Sequence, residues 1–217
     1  VSALAGGFAG AFVLRGLTQA ADAYTNIQNR LSTITKTEAE RVAVNQSIFE
    51  IAQRTRTEYG ATATLFARIG TATDKLGAST ADVLRVVETV QKSFSVAGST
   101  TQEAQSAAIQ LAQGLASGRL QGDELRSILE NNIPLARLLA RELAGGDIGK
   151  LRDLGEKGAL DPKSVFSAIL NGSAGIDAAF ERTNQTTSQA LLKLSNALTA
   201  FVGKMDDSIG ATAKLAA

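Results

Sequence analysis

Between Gly118 and Leu139 the chain reads GRLQGDELRSILENNIPLARLL, and between Lys150 and Leu170 it reads KLRDLGEKGALDPKSVFSAIL. Apolar residues recur in both stretches at helical spacing, and glycine, asparagine and proline interrupt them at short intervals. Such punctuation specifies short amphipathic helices joined by tight breaks. It gathers no polar cluster aimed at chemistry, which is how a structural module reads.

The rest of the composition agrees. The chain has 217 residues, 44% of them hydrophobic, enough for a sizeable core in one or two domains. Aromatics are only 5%, with no Trp, while Ala, Leu and Thr are abundant, which favours helices packed through small side chains over a strand-rich core. The expected fold is all-α. Zero Cys and zero His exclude a disulfide framework, a zinc finger and any Ser/His or Cys/His nucleophile. With 22 basic and 21 acidic residues interspersed, the net charge of +1 provides no broad positive field, so sequence-specific nucleic-acid binding is not expected.

The first residue is Val rather than Met, so the sequence reads as an excised or processed piece. Leu4 to Leu14 is apolar but glycine-broken and ends at Arg15, well short of the ~20 residues a membrane span needs, and it is a weak match to a secretory apolar segment. Leu17, Ala20, Ala21, Tyr24, Ile27, Leu31 and Ile34 then draw one stripe down a long helix over 8–34. Gly10 and Gly16 weaken its first half unless they admit a close neighbour.

Thr35 to Glu38 and Thr37 to Glu40 both fit a capping box, so a second helix starts here. Its apolar face is Val42, Val44, Ile48, Phe49, Ile51 and Ala52, and it fades near Arg56. A third helix runs from Glu58 to about Leu76 and stops at Gly77. Ser79 and Thr80 offer an N-cap with Asp82 in the first turn, ahead of Val83, Leu84, Val86, Val87, Val90 and Phe94. That valine-rich piece could pass for a strand, but cap chemistry and spacing favour a helix. Thr100 to Glu103 opens the next helix, which closes at Gly118. Short helices follow: Asp123 to about Glu130, about Pro134 to Leu143 before Gly145, and Ile148 to Leu154, capped by Asp147 and ended by Gly155. Asp161 and Pro162 open one more, through Val165, Phe166 and Ile169 to about Leu170.

From about Ile176 the apolar pattern lengthens, and a long helix is expected to leave the domain. Leu191, Leu194, Leu198, Phe201 and Met205 step by three and four, the spacing of a coiled-coil seam, although the shift to Ile209 breaks a strict heptad. This is the candidate self-association surface. The alternative is an ordinary helix packing on its own core.

A few places in the sequence invite chemistry. Glu124 and Glu130, with Asp123 and Glu142 near in sequence, offer a carboxylate pair of the glycosidase kind, yet solvated helix faces and first-turn acids account for them. Lys163 beside Ser164 lacks a Ser-x-x-Lys motif. AGGFAG, from Ala5 to Gly10, lacks the ending and the preceding strand of a phosphate cradle. Arg119, Arg126, Arg137, Arg141 and Arg152 alternate with acids, as on a solvated face. No catalytic, cofactor-binding or metal-binding residue is expected, and no cofactor.

From about Ala21 to about Val202 the chain resembles the phage tail tape measure family. The similar elements are ADAYTNIQNRLSTIT from Ala21, GLASGRLQGDEL from Gly114 to Leu125, the break from Glu130 to Pro134, the turn from Gly158 to Asp161, and QALLKLSNAL from Gln189 to Leu198. The resemblance implies a structural, mostly helical protein of the virion tail. Such proteins set tail length by their own extent, occupy the tail lumen during assembly in the bacterial cytoplasm, and leave before DNA ejection. It also implies several copies around the tail axis and partners among tail-tube, tail-tip and tail assembly chaperone proteins; host-membrane contact during ejection is a further partner to be expected if the chain acts on membranes. This stretch would then be one module of a longer ruler. The competing function is a membrane-active, pore-forming ejection module, motivated by Leu4 to Leu14. The expected organisation is an N-terminal apolar segment and helix over 1–34, a compact helical domain over 35–175, and a long helix over 176–217.

Overall fold

The computed structural model describes the backbone of residues 2–209 and the side-chain surroundings of residues 15–205. Among the described residues it is all-α, with eleven helices and no strand. Helix α1, Ser2–Ser32, starts earlier than the spacing suggests, and the side chains of Leu4 to Leu14 and of AGGFAG lie outside the described ones. Ala20, Ala21, Tyr24, Ile27 and Leu31 are buried as expected, whereas Leu17 is largely exposed.

Of the two overlapping capping signals, the chain uses the second, with Glu40 reaching the N–H before the N-cap rather than that of the N-cap itself. The Thr37 hydroxyl accepts the Glu40 N–H at 3.1 Å and Glu40 accepts the Lys36 N–H at 2.8 Å, while the Thr35 hydroxyl donates back to Leu31 O. Helix α2, Glu38–Thr55, buries Val44, Ile48, Ile51 and Ala52. Val42, expected on the apolar face, is instead 57% exposed, because it lies off the stripe its neighbours form. Helix α3, Tyr59–Thr73, begins where the Glu58 carboxylate accepts the Gly60 and Ala61 N–H groups, and a 3-10 turn over Asp74–Leu76 brings it to Gly77 at φ 68°.

The valine-rich segment is helix α4, Thr80–Ala97. Ser79 and Asp82 form a complete capping box, and Val83, Val86, Val87, Val90 and Phe94 lie buried at the centre of the fold. Helix α5, Thr101–Ser117, carries the second complete box, Thr100 with Glu103. The short helices follow as α6, Gly122–Asn131; α7, Ile133–Leu143; α8, Ile148–Glu156; α9, Pro162–Asn171; and α10, Ser173–Phe180. The break between α6 and α7 is organised by Asn132, fully buried, whose side chain accepts the Leu135 N–H and donates to the Ser93 hydroxyl at 2.7 Å. The Leu120 N–H donates to Leu160 O at 2.8 Å, joining the end of α5 to the turn before α9.

Gly155 does not end α8. The helix continues through it to Glu156, and Gly158 at φ 64° makes the turn. Gly155 is buried because Leu125 of α6 packs where its β-carbon would be, so the glycine serves helix approach rather than termination.

The expected single helix from Ile176 is two. It breaks after Phe180, and Thr186 and Gln189 then exchange backbone and side-chain bonds in a further capping box that opens α11, Thr187–Ile209. Residues 210–217, the end of the long helix expected over 176–217, lie outside the described residues. Nor does α11 leave at once: it packs along α1 and touches α2. One apolar cluster runs from Tyr24 on α1 through α4 to Ile176 and to Ala200 on α11.

Candidate assembly surface

Helix α11 is amphipathic in the inverted sense. Its buried positions are Asn196, Ala200 and Gly203, and its outward positions are Leu191, Leu194, Leu198, Phe201 and Met205. At roughly 100° of turn per residue these two sets fall on opposite sides of the helix. All five seam residues are exposed, Leu194 by 67% and Phe201 by 62%. The structure therefore brings the five onto one face and directs that face at solvent.

What holds α11 is polar and close-fitting. The Asn196 carbonyl accepts the Tyr59 N–H at 3.0 Å and its amide donates to Thr57 O at 2.8 Å, across the gap between α2 and α3. The Gln53 amide donates to Lys193 O at 3.2 Å. Behind these bonds the Tyr59 hydroxyl donates to the Asn45 side-chain carbonyl, and burial raises the Tyr59 phenol well above its ordinary pKa, so that it stays a neutral donor. Gly203 faces the Tyr24 ring so tightly that a β-carbon would fall among the ring atoms. Helix α11 passes straight through this glycine.

The start of α11 is positioned by Arg56. That residue ends α2 in the left-handed conformation at φ 62°, donates to the hydroxyl and carbonyl of Thr183, and lies 4.7 Å from the Phe180 ring centre. Nearby, α10 is clasped to α4 by Asp177, which pairs with Arg85 and with Lys92 at 2.7 Å; Lys92 also pairs with Glu88 at 2.9 Å. Burial opposes ionisation of Asp177 and Glu88, but hydrogen bonds from Arg85 and Lys92 to the first, and from Arg54 and Lys92 to the second, hold both carboxyls below their ordinary values.

The carboxylates weighed for catalysis do not converge. Asp123 is solvated and pairs with Arg126 at 3.2 Å, Glu142 pairs with its neighbour Arg141, Glu130 is exposed, and Glu124 is half-buried beside Gly114 and Gly122. Ser164 is bonded to Asp161, the N-cap of α9, and Lys163 is exposed. Arg119, Arg126, Arg137, Arg141 and Arg152 are all exposed. Among the described residues no three acids cluster as a metal site, and no helix is long and apolar enough to cross a membrane.

Sequence spacing placed Leu191, Leu194, Leu198, Phe201 and Met205 on one helix face but missed the residues that turn that face outward. Asn196 and Gly203 carry no local signal of their partners, whereas the Thr186 to Gln189 box was legible as Ser/Thr-x-x-Glu/Gln. A family model described as tape measure protein matches residues 15–207. No curated protein and no solved structure matches.

Proposed function

The chain belongs to the tape measure protein family of phage tails, and from that premise we propose that it is a folded module of the polypeptide that sets tail length. In this reading the module occupies the tail lumen during assembly in the bacterial cytoplasm and is released before DNA ejection. Its role is structural rather than catalytic, and its copies associate around the tail axis through the α11 seam. Tail-tube, tail-tip and tail assembly chaperone proteins are the partners the reading entails.

The observation that carries it is the orientation of α11. Apolar surface left in water costs about 25 cal/mol per Å² relative to burial, and a contiguous apolar stripe on a folded protein marks a contact with another chain. The seam steps by three and four from Leu191 to Met205, the spacing that lets knobs of one helix enter holes of another. An inner face of Asn196, Ala200 and Gly203 tethers α11 while its greasy face stays free for copies.

Two measurements test this. Sedimentation over a concentration series should show association that Leu194→Gln with Phe201→Gln abolishes at unchanged melting temperature; a monomer at every concentration would remove the self-association reading. Electron microscopy of phage carrying the same pair of changes should show tails absent or scattered in length. A normal population of uniform tails would overturn the assembly role of the seam.

A further inference from the structure

Helix α3 packs against both α1 and α5, and over α3, between those two, the surface sinks into a cavity of about 480 Å³ that is closed at one end by α4 and by Ser188, Gln189 and Leu192 of α11, on the side away from its seam. A second hollow of about 510 Å³ shares Asn26, Arg30, Thr64 and Arg68 with the first. Together they form one open trough along α3 from Gly60 to Ala72, about 18 Å long at 1.5 Å per residue. Ala61 and Thr64 are on its floor, and Ala104 and Ala108 are on its α5 wall. Side chains this small let a further backbone come within ordinary helix-packing distance. The length and openness suit a helix better than a compact small molecule, which prefers an enclosing cleft.

Charge narrows the occupant. Arg30 on α1 and Arg68 on α3 line both hollows, are both exposed, and have no carboxylate within ion-pair reach among the described residues. Two like charges thus face the middle of an apolar trough without an anion. Glu58, at one end, is already committed to the N-terminus of α3 and to the Gln105 amide. The α11 seam of another copy is a poor match, because the stretch from Leu191 to Met205 carries no carboxylate to meet these arginines.

We propose that the trough docks an amphipathic helix of a partner protein, roughly three turns long, its apolar stripe on α3 and α5 and its middle carboxylates held by Arg30 and Arg68. The site is separate from the α11 seam. It gives the module a second contact, to an acidic partner rather than to its own copies.

Fluorescence anisotropy on the 217-residue chain tests it. The probe is a labelled synthetic peptide of about three ELAALEE repeats, long enough to be helical, in low-salt buffer. Saturable binding is expected, roughly tenfold weaker after Arg30→Ala with Arg68→Ala, and equally weakened by Thr64→Trp, which fills the trough and leaves its charge alone. Thermal unfolding checks that both variants stay folded, and the arginine pair, being exposed, serves if the tryptophan does not. Binding of a KLAALKK counterpart with equal affinity, binding undiminished in the variants, displacement by an oligothymidylate, or no saturable binding would each overturn the proposal. Sedimentation of the same variants separates the two surfaces: self-association should persist, and its loss would assign the trough to the copy-to-copy contact instead.

Discussion

Asn196 on α11 completes the first turn of α3: its carbonyl takes the N–H of Tyr59 at 3.0 Å while its amide reaches Thr57 O. One side chain thus satisfies two backbone groups of a different helix junction, 137 residues away in the chain in the case of Tyr59. Asn196→Ala should cost about 2–3 kcal/mol, because the buried Tyr59 N–H and the partly buried Thr57 carbonyl both lose their partner. Asn196→Leu should do no better, despite adding apolar surface. Urea unfolding gives the magnitude, and faster hydrogen exchange along α11 locates it; a neutral Leu variant would mean that apolar contact, not this pair of bonds, docks the helix.

Gly203 should tolerate no side chain while Tyr24 is present. Gly203→Ala forces its methyl into the ring and should destabilise by about 1–3 kcal/mol, although alanine is the better helix former. In a Tyr24→Ala background the same change should become neutral or favourable. A double-mutant cycle reads the coupling, and additive effects would refute it.

The overlapping capping signals make a paired test. Thr37→Ala removes the acceptor for the Glu40 N–H and should cost about 1 kcal/mol. Thr35→Ala loses only a hydroxyl bonded back to Leu31 O, and should stay within about 0.5 kcal/mol. Chemical denaturation of both variants gives the comparison, and equal losses would contradict the assignment.

Acid should loosen the α4–α10 clasp. Asp177 and Glu88 titrate below their ordinary values of 3.8 and 4.5 in the folded chain, so the stability they contribute is present above those values and is lost as pH falls through the lowered ones. Asp177→Asn should therefore lower the melting temperature at neutral pH and flatten its decline in acid. Melting curves across that range decide it; a variant whose decline matches the parent would show that other carboxylates set the acid sensitivity.

Much of the architecture was legible locally. Ser79 with Asp82 and Thr100 with Glu103 announced α4 and α5, and Asp161 with Pro162 announced α9. Each signal works through atoms within about one turn of helix, so reading it needs no knowledge of the remainder of the chain. Valine content at Val83 to Val90 pointed weakly to a strand, and the cap and the three-four spacing overruled it. The seam was legible too, as spacing; the side of α11 on which the domain lies was not.

The order and kind of the helices from α1 to α9 were thus determined by sequence alone, since caps, breakers and apolar periodicity are short-range effects. Only tertiary structure decided what each face meets. Leu125 claims the space beside Gly155, Tyr24 the space beside Gly203, and Asn196 the backbone at Thr57 and Tyr59. These pairings join residues far apart in the chain, and nothing in either partner's neighbourhood announces the other. Through them α11 turns its leucines outward, because hydrogen bonds and a close glycine contact hold its opposite face.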